Sequence, residues 1–159
     1  MTKRKGAALV TGSAKRIGRQ IALDLAADGW DIAVHCNTSL AEAEDVAAQV
    51  REMGRKATIV RGDLAEAHVP DRLMTEAAQA LEGITCLVNN ASIFDPDEVG
   101  RITPDSWAEH LDTNLRAPVF LSQAFARQLP SAVEGNIISI IDQRVWKLNP
   151  KFFSYTMSK

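Results

Sequence analysis

The apolar positions of this chain fall into two kinds of block. Short, largely apolar runs stand at 7–10, 31–36, 57–60, 86–88 and 137–141. Each is too short for a helix, and continuous apolarity predicts a strand buried on both faces. Between them the apolar residues spread to helical spacing. Ile17, Ile21, Ala22 and Leu25 predict a first helix with one buried face, ending at Gly29. Ser39-x-x-Glu42 has the form of a capping box and opens a second through Val46, Ala47, Val50 and Met53, stopped by Gly54. A third enters at Val69-Pro70 and runs through Leu73, Ala77 and Leu81 to Gly83. A fourth starts at Thr103-Pro104 and continues, with a break or kink, to Leu129, with Pro118 inside it. Strand and helix alternate throughout, which predicts an α/β fold: a doubly wound parallel sheet with helices on both sides.

The first strand leads directly into Thr11-Gly12-Ser13-Ala14-Lys15-Arg16-Ile17-Gly18. A glycine turn between a strand and a helix has the context of a nucleotide-binding loop. Gly12 permits a tight turn and Gly18 a close approach of helix to strand. Amides at a helix start carry partial positive charge and suit a phosphate, and Lys15 and Arg16 add formal charge beside them. The same pattern also fits an ordinary strand-to-helix turn, so the downstream residues decide between the two. In such sheets ligands bind beyond the carboxyl ends of the strands, where the remaining polar candidates also fall.

Composition narrows the setting. A chain of 159 residues suits one domain, 1–159, with a sizeable core. A net charge of −2 gives no sign of nucleic acid or an anionic membrane as partner. Lys3-Arg4-Lys5 is basic, but the apolar stretch after it is too short for a signal peptide. Cys36 and Cys86 lie far apart in strand-like segments and read as buried reduced thiols. A cytoplasmic protein is expected. His68 and His110 have no metal-ligand spacing and read as surface residues; no metal is expected.

Four features together resemble the short-chain dehydrogenase/reductase family: Thr11-Gly12-x-x-x-Arg16-x-Gly18, Asn89-Asn90-Ala91-Ser92 after the fourth strand, Asn114 in the long helix, and Tyr155-x-x-x-Lys159. The resemblance implies a Rossmann-like sheet of order 3-2-1-4-5 and an NAD(P)-dependent oxidoreductase. Two positions depart from the usual family pattern. Arg16 stands where a glycine is common, and Asp142 stands in the serine slot thirteen residues before the tyrosine. Both departures, with Ser92 and Phe94 past the asparagines, resemble the pteridine reductases, including the dihydromonapterin reductases. That resemblance implies a pterin or dihydropteridine substrate and a homo-oligomer, a tetramer or dimer. A short-chain carbonyl reductase acting on a ketone or acyl group is the alternative, as is a nucleotide-binding fragment without catalysis. The family's fold also continues past Lys159 through further strands and substrate-covering helices, so the chain is expected to be part of a longer protein and the fragment inactive.

The chemistry of these residues can be stated individually. Tyr155 and Lys159 share a helix face, and a lysine cation near a phenol lowers its pKa from about 10, preparing it to give up a proton. Asn114 is implied to hold a water linking the lysine to solvent; an N-cap at the break is its other reading. Asp142 would meet ring N–H donors of a substrate and, with its pKa raised in a dry site, pass a proton; a local turn is its plainer role. Phe94 would stack on a flat ring or serve as core, with Ser92 near the ring's amine. Trp107 falls on the apolar face of the long helix, and Trp146 is placed to wall a pocket. For the cofactor, Gly12, Lys15, Arg16, Ile17 and Gly18 would hold the pyrophosphate, Asn90 and Ala91 the far side, and Asp63 and Leu64 the adenine. Asn37, Thr38 and Ser39 follow the second strand where an NAD enzyme usually carries an acid about twenty residues past the turn. These small polar groups tolerate a 2′-phosphate, so NADPH is expected over NADH, although Thr38 replaces an arginine of the pteridine reductases. Arg16, Ser92, Phe94, Asp142 and Tyr155 are the expected substrate contacts.

Overall fold

A computed structural model describes residues 4–159, leaving Lys3 of the basic N-terminal stretch outside the described residues. Five parallel strands, β1 (Gly6–Val10), β2 (Trp30–Cys36), β3 (Ala57–Arg61), β4 (Cys86–Asn89) and β5 (Asn136–Ser139), form one sheet in the order β3-β2-β1-β4-β5. Helices α1 (Arg16–Ala27) and α2 (Leu40–Glu52) cover one face; α3 (Val69–Leu81) and α5 (Ala117–Gln128) cover the other. Alternate residues of β1 serve the two cores: Ala8 and Val10 pack towards α1 and α2, Ala7 and Leu9 towards α3 and α5. The inner strands are apolar on both faces for this reason, whereas β5, at the sheet edge, is exposed along its length, contrary to the burial expected of its isoleucine run. Both cysteines are free and buried, and burial raises both thiols. Among the described residues no helix is long and apolar enough to cross a membrane.

Several local expectations change. The buried stripe of α1 is Gly18, Ala22, Leu23 and Ala26, with Ile21 and Leu25 half-buried and Ile17 62% exposed. The register is set by Gly18, where a Cβ would collide with the Gly12 carbonyl and the Asn90 amide. With Gly18 turned inward, Ile17 must face outward over the turn. Ser39 precedes α2 but its side chain caps nothing; at φ −83°, ψ 59° its backbone is outside the extended region a cap needs. The other half of the expected box, Glu42, instead pairs with Lys15 at 2.7 Å.

The long helix is three pieces: α4 (Pro104–Leu111), a π-helical turn (Asp112–Arg116) and α5. Thr103 caps α4 by accepting the Ser106 amide at 3.1 Å. The break is the π turn, and Pro118, which lacks an amide donor, follows it at the start of α5. Trp107 is 38% exposed, and the fully buried residue of α4 is His110. A histidine is tolerated there because Nδ1 bonds the Ser106 carbonyl at 2.8 Å and Nε2 accepts the Asp95 amide at 3.3 Å.

At the carboxyl edge, the ends of β1 and β4 are joined through one hydroxyl. Thr11 Oγ1 accepts the amides of Asn90 and Ala91, each at 2.9 Å, and donates to the Val88 carbonyl at 3.3 Å. Thr11→Val keeps the shape and strands both amides. Each unsatisfied buried donor costs about 1–3 kcal/mol, so the variant should unfold at lower denaturant, with an unchanged slope and a loss of at least about 1 kcal/mol. An unchanged midpoint in urea would show that water replaces the hydroxyl.

Candidate active site

The glycine turn is held from below by a histidine that the sequence reading passed over. Gly12, at φ 62°, donates its amide to His35 Nδ1 at 2.9 Å, and His35 Nε2 bonds the Gly62 carbonyl at 3.0 Å. Ser13 Oγ donates to the Val10 carbonyl and accepts the His35 amide. Nδ1 therefore accepts and Nε2 carries the proton: the ring is neutral. Its polar type in an apolar strand was the signal available. Arg16 adopts φ 53°, the left-handed conformation that a glycine takes freely and that costs another residue roughly 1–2 kcal/mol.

A cleft of about 710 Å³ opens along the carboxyl edge of the sheet. Of the candidate cofactor residues, Gly12, Lys15, Arg16, Ile17, Gly18, Asn37, Asp63, Leu64, Asn90 and Ala91 line it; Thr38 and Ser39 do not. Asp63 Oδ1 accepts the Ala65 amide at 2.9 Å and shapes the loop after β3. Ser92, Phe94, Asp142, Tyr155 and Lys159 line the other end, while Asn114 stands behind the wall. Trp146 is 81% exposed and is not among the lining residues.

Tyr155 lies in a short helix, α6 (Phe153–Ser158), and Lys159 caps its end. The phenol donates to Asp142 Oδ2 at 2.8 Å, and Asp142 Oδ1 accepts the Arg144 amide at 2.8 Å. The local-turn reading of Asp142 holds: one oxygen starts the 3₁₀ turn Gln143–Val145, while the other accepts the phenol of Tyr155. The charge consequences reverse the expectation. Burial, then the Asp142 carboxylate, push Tyr155 up to about 12. The Lys159 ammonium is 5.7 Å from the ring centroid and donates to the Ile140 carbonyl at 3.1 Å, so it is not bonded to the phenol. Burial lowers Lys159 and Asp142 pulls it back up. Asp142 itself is held below the usual carboxylate range, chiefly by the Arg144 amide, against the opposing effect of burial. It is a carboxylate here, with the proton on the phenol.

Asn114 does not cap a helix. Its amide clamps the loop after β4, accepting the Ile93 amide at 2.8 Å, and donates to the Ile93 carbonyl and to Ser158 Oγ, both at 2.9 Å. The π turn places it between that loop and α6. A second anchor was missed in the sequence: Asp97 accepts the Ser154 amide at 2.8 Å and Ser106 Oγ at 3.0 Å, while its backbone bridges to Phe152. An aspartate accepting a first-turn amide of α6 acts as a cap supplied from a distant segment. Phe94 is 45% exposed and so is not a core residue; it stacks on Phe152 at 4.4 Å and meets the Tyr155 edge at 4.7 Å.

With this geometry in place, comparison with known proteins identifies the class. Residues 6–159 match the short chain dehydrogenase family, and the chain belongs to it. Among solved structures it is similar to the FolM alternative dihydrofolate reductase 1 of Brucella canis complexed with NADP, at 43% identity and TM-score 0.93, covering 98% of this chain and 63% of that one. It is also similar to the landomycin C-6 ketoreductase LanV with bound NADP and rabelomycin, at 29% identity and TM-score 0.89, covering 98% and 65%. Among curated proteins, the short-chain dehydrogenase/reductase FrzI of Cladobotryum sp is 36% identical over 126 residues, 79% of this chain and 49% of that protein. The 3-oxoacyl-(acyl-carrier-protein) reductase FabG of Staphylococcus epidermidis is 29% identical over 152 residues, 96% and 62%. The chain spans about half to two thirds of the length of these relatives.

Two titrations follow from the site. Burial, the largest influence, holds His35 below its ordinary 6.5; the Gly62 bond and Asp63 oppose it, and Arg72 adds to it. Unfolded chains protonate histidine near pH 6.5, the folded protein only lower. Stability from the neutral ring is therefore complete above about pH 6.5 and is lost as pH falls towards the folded pKa. The melting temperature should decline below about pH 6.5, and less steeply in His35→Gln; carboxylates act only nearer pH 4. Equal slopes would assign the decline to other groups.

Tyr155 is the chain's one tyrosine, so tyrosinate absorbance reports it alone. Asp142→Asn removes the charge and should move the titration from about 12 towards the ordinary value of about 10. An unmoved titration would mean that burial alone sets it.

Proposed function

We propose that the protein is an NADPH-dependent reductase of a pterin or dihydropteridine. The observation that carries this reading is the carboxylate of Asp142, 2.8 Å from the Tyr155 phenol where the family pattern has a neutral serine. A carboxylate suits a substrate with ring N–H and exocyclic amine donors, since charge-assisted hydrogen bonds are about twice as strong as neutral ones. Arg16 in the turn and exposed Phe94 beside Tyr155 support it, as does the likeness to a dihydrofolate reductase complexed with NADP.

The cleft fits a dinucleotide. The close packing of Gly18 on Gly12 leaves the start of α1 facing the cleft, and Lys15 and Arg16 lie beside it. Asn37, not an acid, follows β2 on the lining, which leaves room for a 2′-phosphate. NADPH, when bound, supplies the hydride. This chain's residues do the rest: Phe94 offers an aromatic face for a flat ring, Asp142 orients the ring by its N–H groups, and the phenol of Tyr155 carries the proton for the nitrogen that is reduced. Lys159 keeps positive charge near the phenolate that remains. The same proposal includes a homo-oligomer, because Leu115, Val119 and Phe120 expose an apolar face on the π turn and α5.

A ketone or acyl reductase is the second reading, favoured by the likeness to FabG and LanV. Steady-state assays of the full-length protein with dihydrobiopterin, dihydromonapterin and a simple ketone, each with NADPH and with NADH, separate the two. The expected result is pterin turnover with NADPH preferred. Turnover of the ketone alone would falsify the pterin assignment, and equal use of both cofactors would remove the 2′-phosphate site.

A further inference from the structure

Arg144 stands two residues beyond Asp142 and lines the same cleft. The turn closed on Asp142 Oδ1 folds its side chain back, bringing Nη1 to 3.6 Å from that oxygen. The guanidinium carbon lies 4.7 Å from the Phe94 centroid and 4.8 Å from that of Phe152. The side chain is only 25% exposed, and Nε is buried without a hydrogen-bond partner. An arginine has five N–H donors in a rigid fork. Here the aromatic pair and the carboxylate hold the fork in place, yet no side chain or carbonyl among the described residues accepts a hydrogen bond from it. A donor kept as dry as Nε is costly when unpaired, and the terminal nitrogens of the same fork stand beside it without a hydrogen-bond acceptor. The position also has a chemical neighbour of opposite character: a carboxylate that accepts N–H and a guanidinium that donates stand side by side at one wall.

We propose that Arg144 is a specificity-determining residue, and that with Asp142 it reads the lactam edge of a flat oxo-heterocycle. The carboxylate takes the ring N–H, and the guanidinium takes the adjacent carbonyl oxygen. This role rests on the pterin substrate proposed for the cleft and goes beyond it by naming which substrates are preferred. Substrates with an oxo group at that edge are selected; analogues carrying an amine there present a donor to a donor and are disfavoured.

The test uses the full-length protein, dihydrobiopterin as the oxo substrate, and a diaminopteridine in which an amine replaces the ring oxygen. Arg144→Met keeps an apolar stem against Phe94 and Phe152 and loses every donor. It should raise KM for dihydrobiopterin at least about tenfold, the loss expected for a charged hydrogen bond, with kcat within about threefold. Calorimetric binding of the diaminopteridine should stay the same or tighten, and NADPH affinity should not change. Arg144→Lys keeps the charge without the fork and should give a smaller rise; it also guards against misfolding of the methionine variant. Equal weakening of both pteridines would make Arg144 a packing residue and overturn the proposal, as would an unchanged KM in both variants. A wild-type protein that reduces no pterin would instead remove the functional reading itself, and this role with it.

Discussion

The hydroxyl of Thr11 is the contact on which the site depends. It gathers two amides of the segment after β4 and ties them to the last residue before the glycine turn. Parallel strands end at one edge by topology, but topology does not fix where the loops beyond them lie. That hydroxyl does, and the Asn90 amide repeats it by donating to the Thr11 carbonyl at 2.9 Å. Gly18 can then pack on Gly12 with Asn90 above it, and the start of α1 is aimed into the cleft. His35 supports the same turn from the second strand. The loops of β1, β2 and β4 thus form one unit through Thr11, Asn90 and His35.

The tyrosine reaches this unit by a separate set of anchors. A helix as short as α6 has little stability of its own, and here its position is imposed from outside. Asp97 holds its first turn, Asn114 holds Ser158, and Lys159 returns to the carbonyl after β5. Asn114 can serve both the Ile93 loop and α6 only because the helix widens into a π turn at that point. Such turns displace a side chain from the regular spacing and are frequent at functional sites. An asparagine is a poor helix former, and its amide here spends three hydrogen bonds on two other segments.

Much of this was legible in the sequence, and the failures have a common cause. Runs such as 86–88 and the spacing of Val46, Ala47 and Val50 report burial directly, because the periodicity of a strand or helix is local. Sheet class, the positions of the strands and the break near Asn114 therefore came through, while the run 137–141 outlasts β5 by two residues, and β5 lies exposed at the sheet edge. Ile17, Trp107 and His110 were misplaced because their burial depends on rotation set elsewhere: by Gly18 against Gly12 for the first, and by the partners of α4 for the others. Asp97 and His35 act through backbone groups 57 and 23 residues away, and nothing in their neighbourhoods announces that. Arg144 fell in a loop with no periodic pattern to mark it.

The pKa relation between Tyr155 and Asp142 shows why residue types alone were insufficient. A tyrosine and a lysine four apart suggest a phenol made more acidic. The cation, however, is directed to a carbonyl, while the nearer charge is a carboxylate that accepts a hydrogen bond from the phenol. Distance decides which charge dominates, since Coulomb energy falls with separation, and a hydrogen bond adds to the nearer one. The pair is thus arranged to keep its proton on tyrosine until something changes the balance. Under the function proposed above, a substrate whose N–H groups engage Asp142 would draw negative charge away from the phenol, and the contact that orients the ring would also make the proton easier to release. Serine in that position has no charge to redistribute. In that proposed function the aspartate would couple occupancy of the cleft to the acidity of Tyr155.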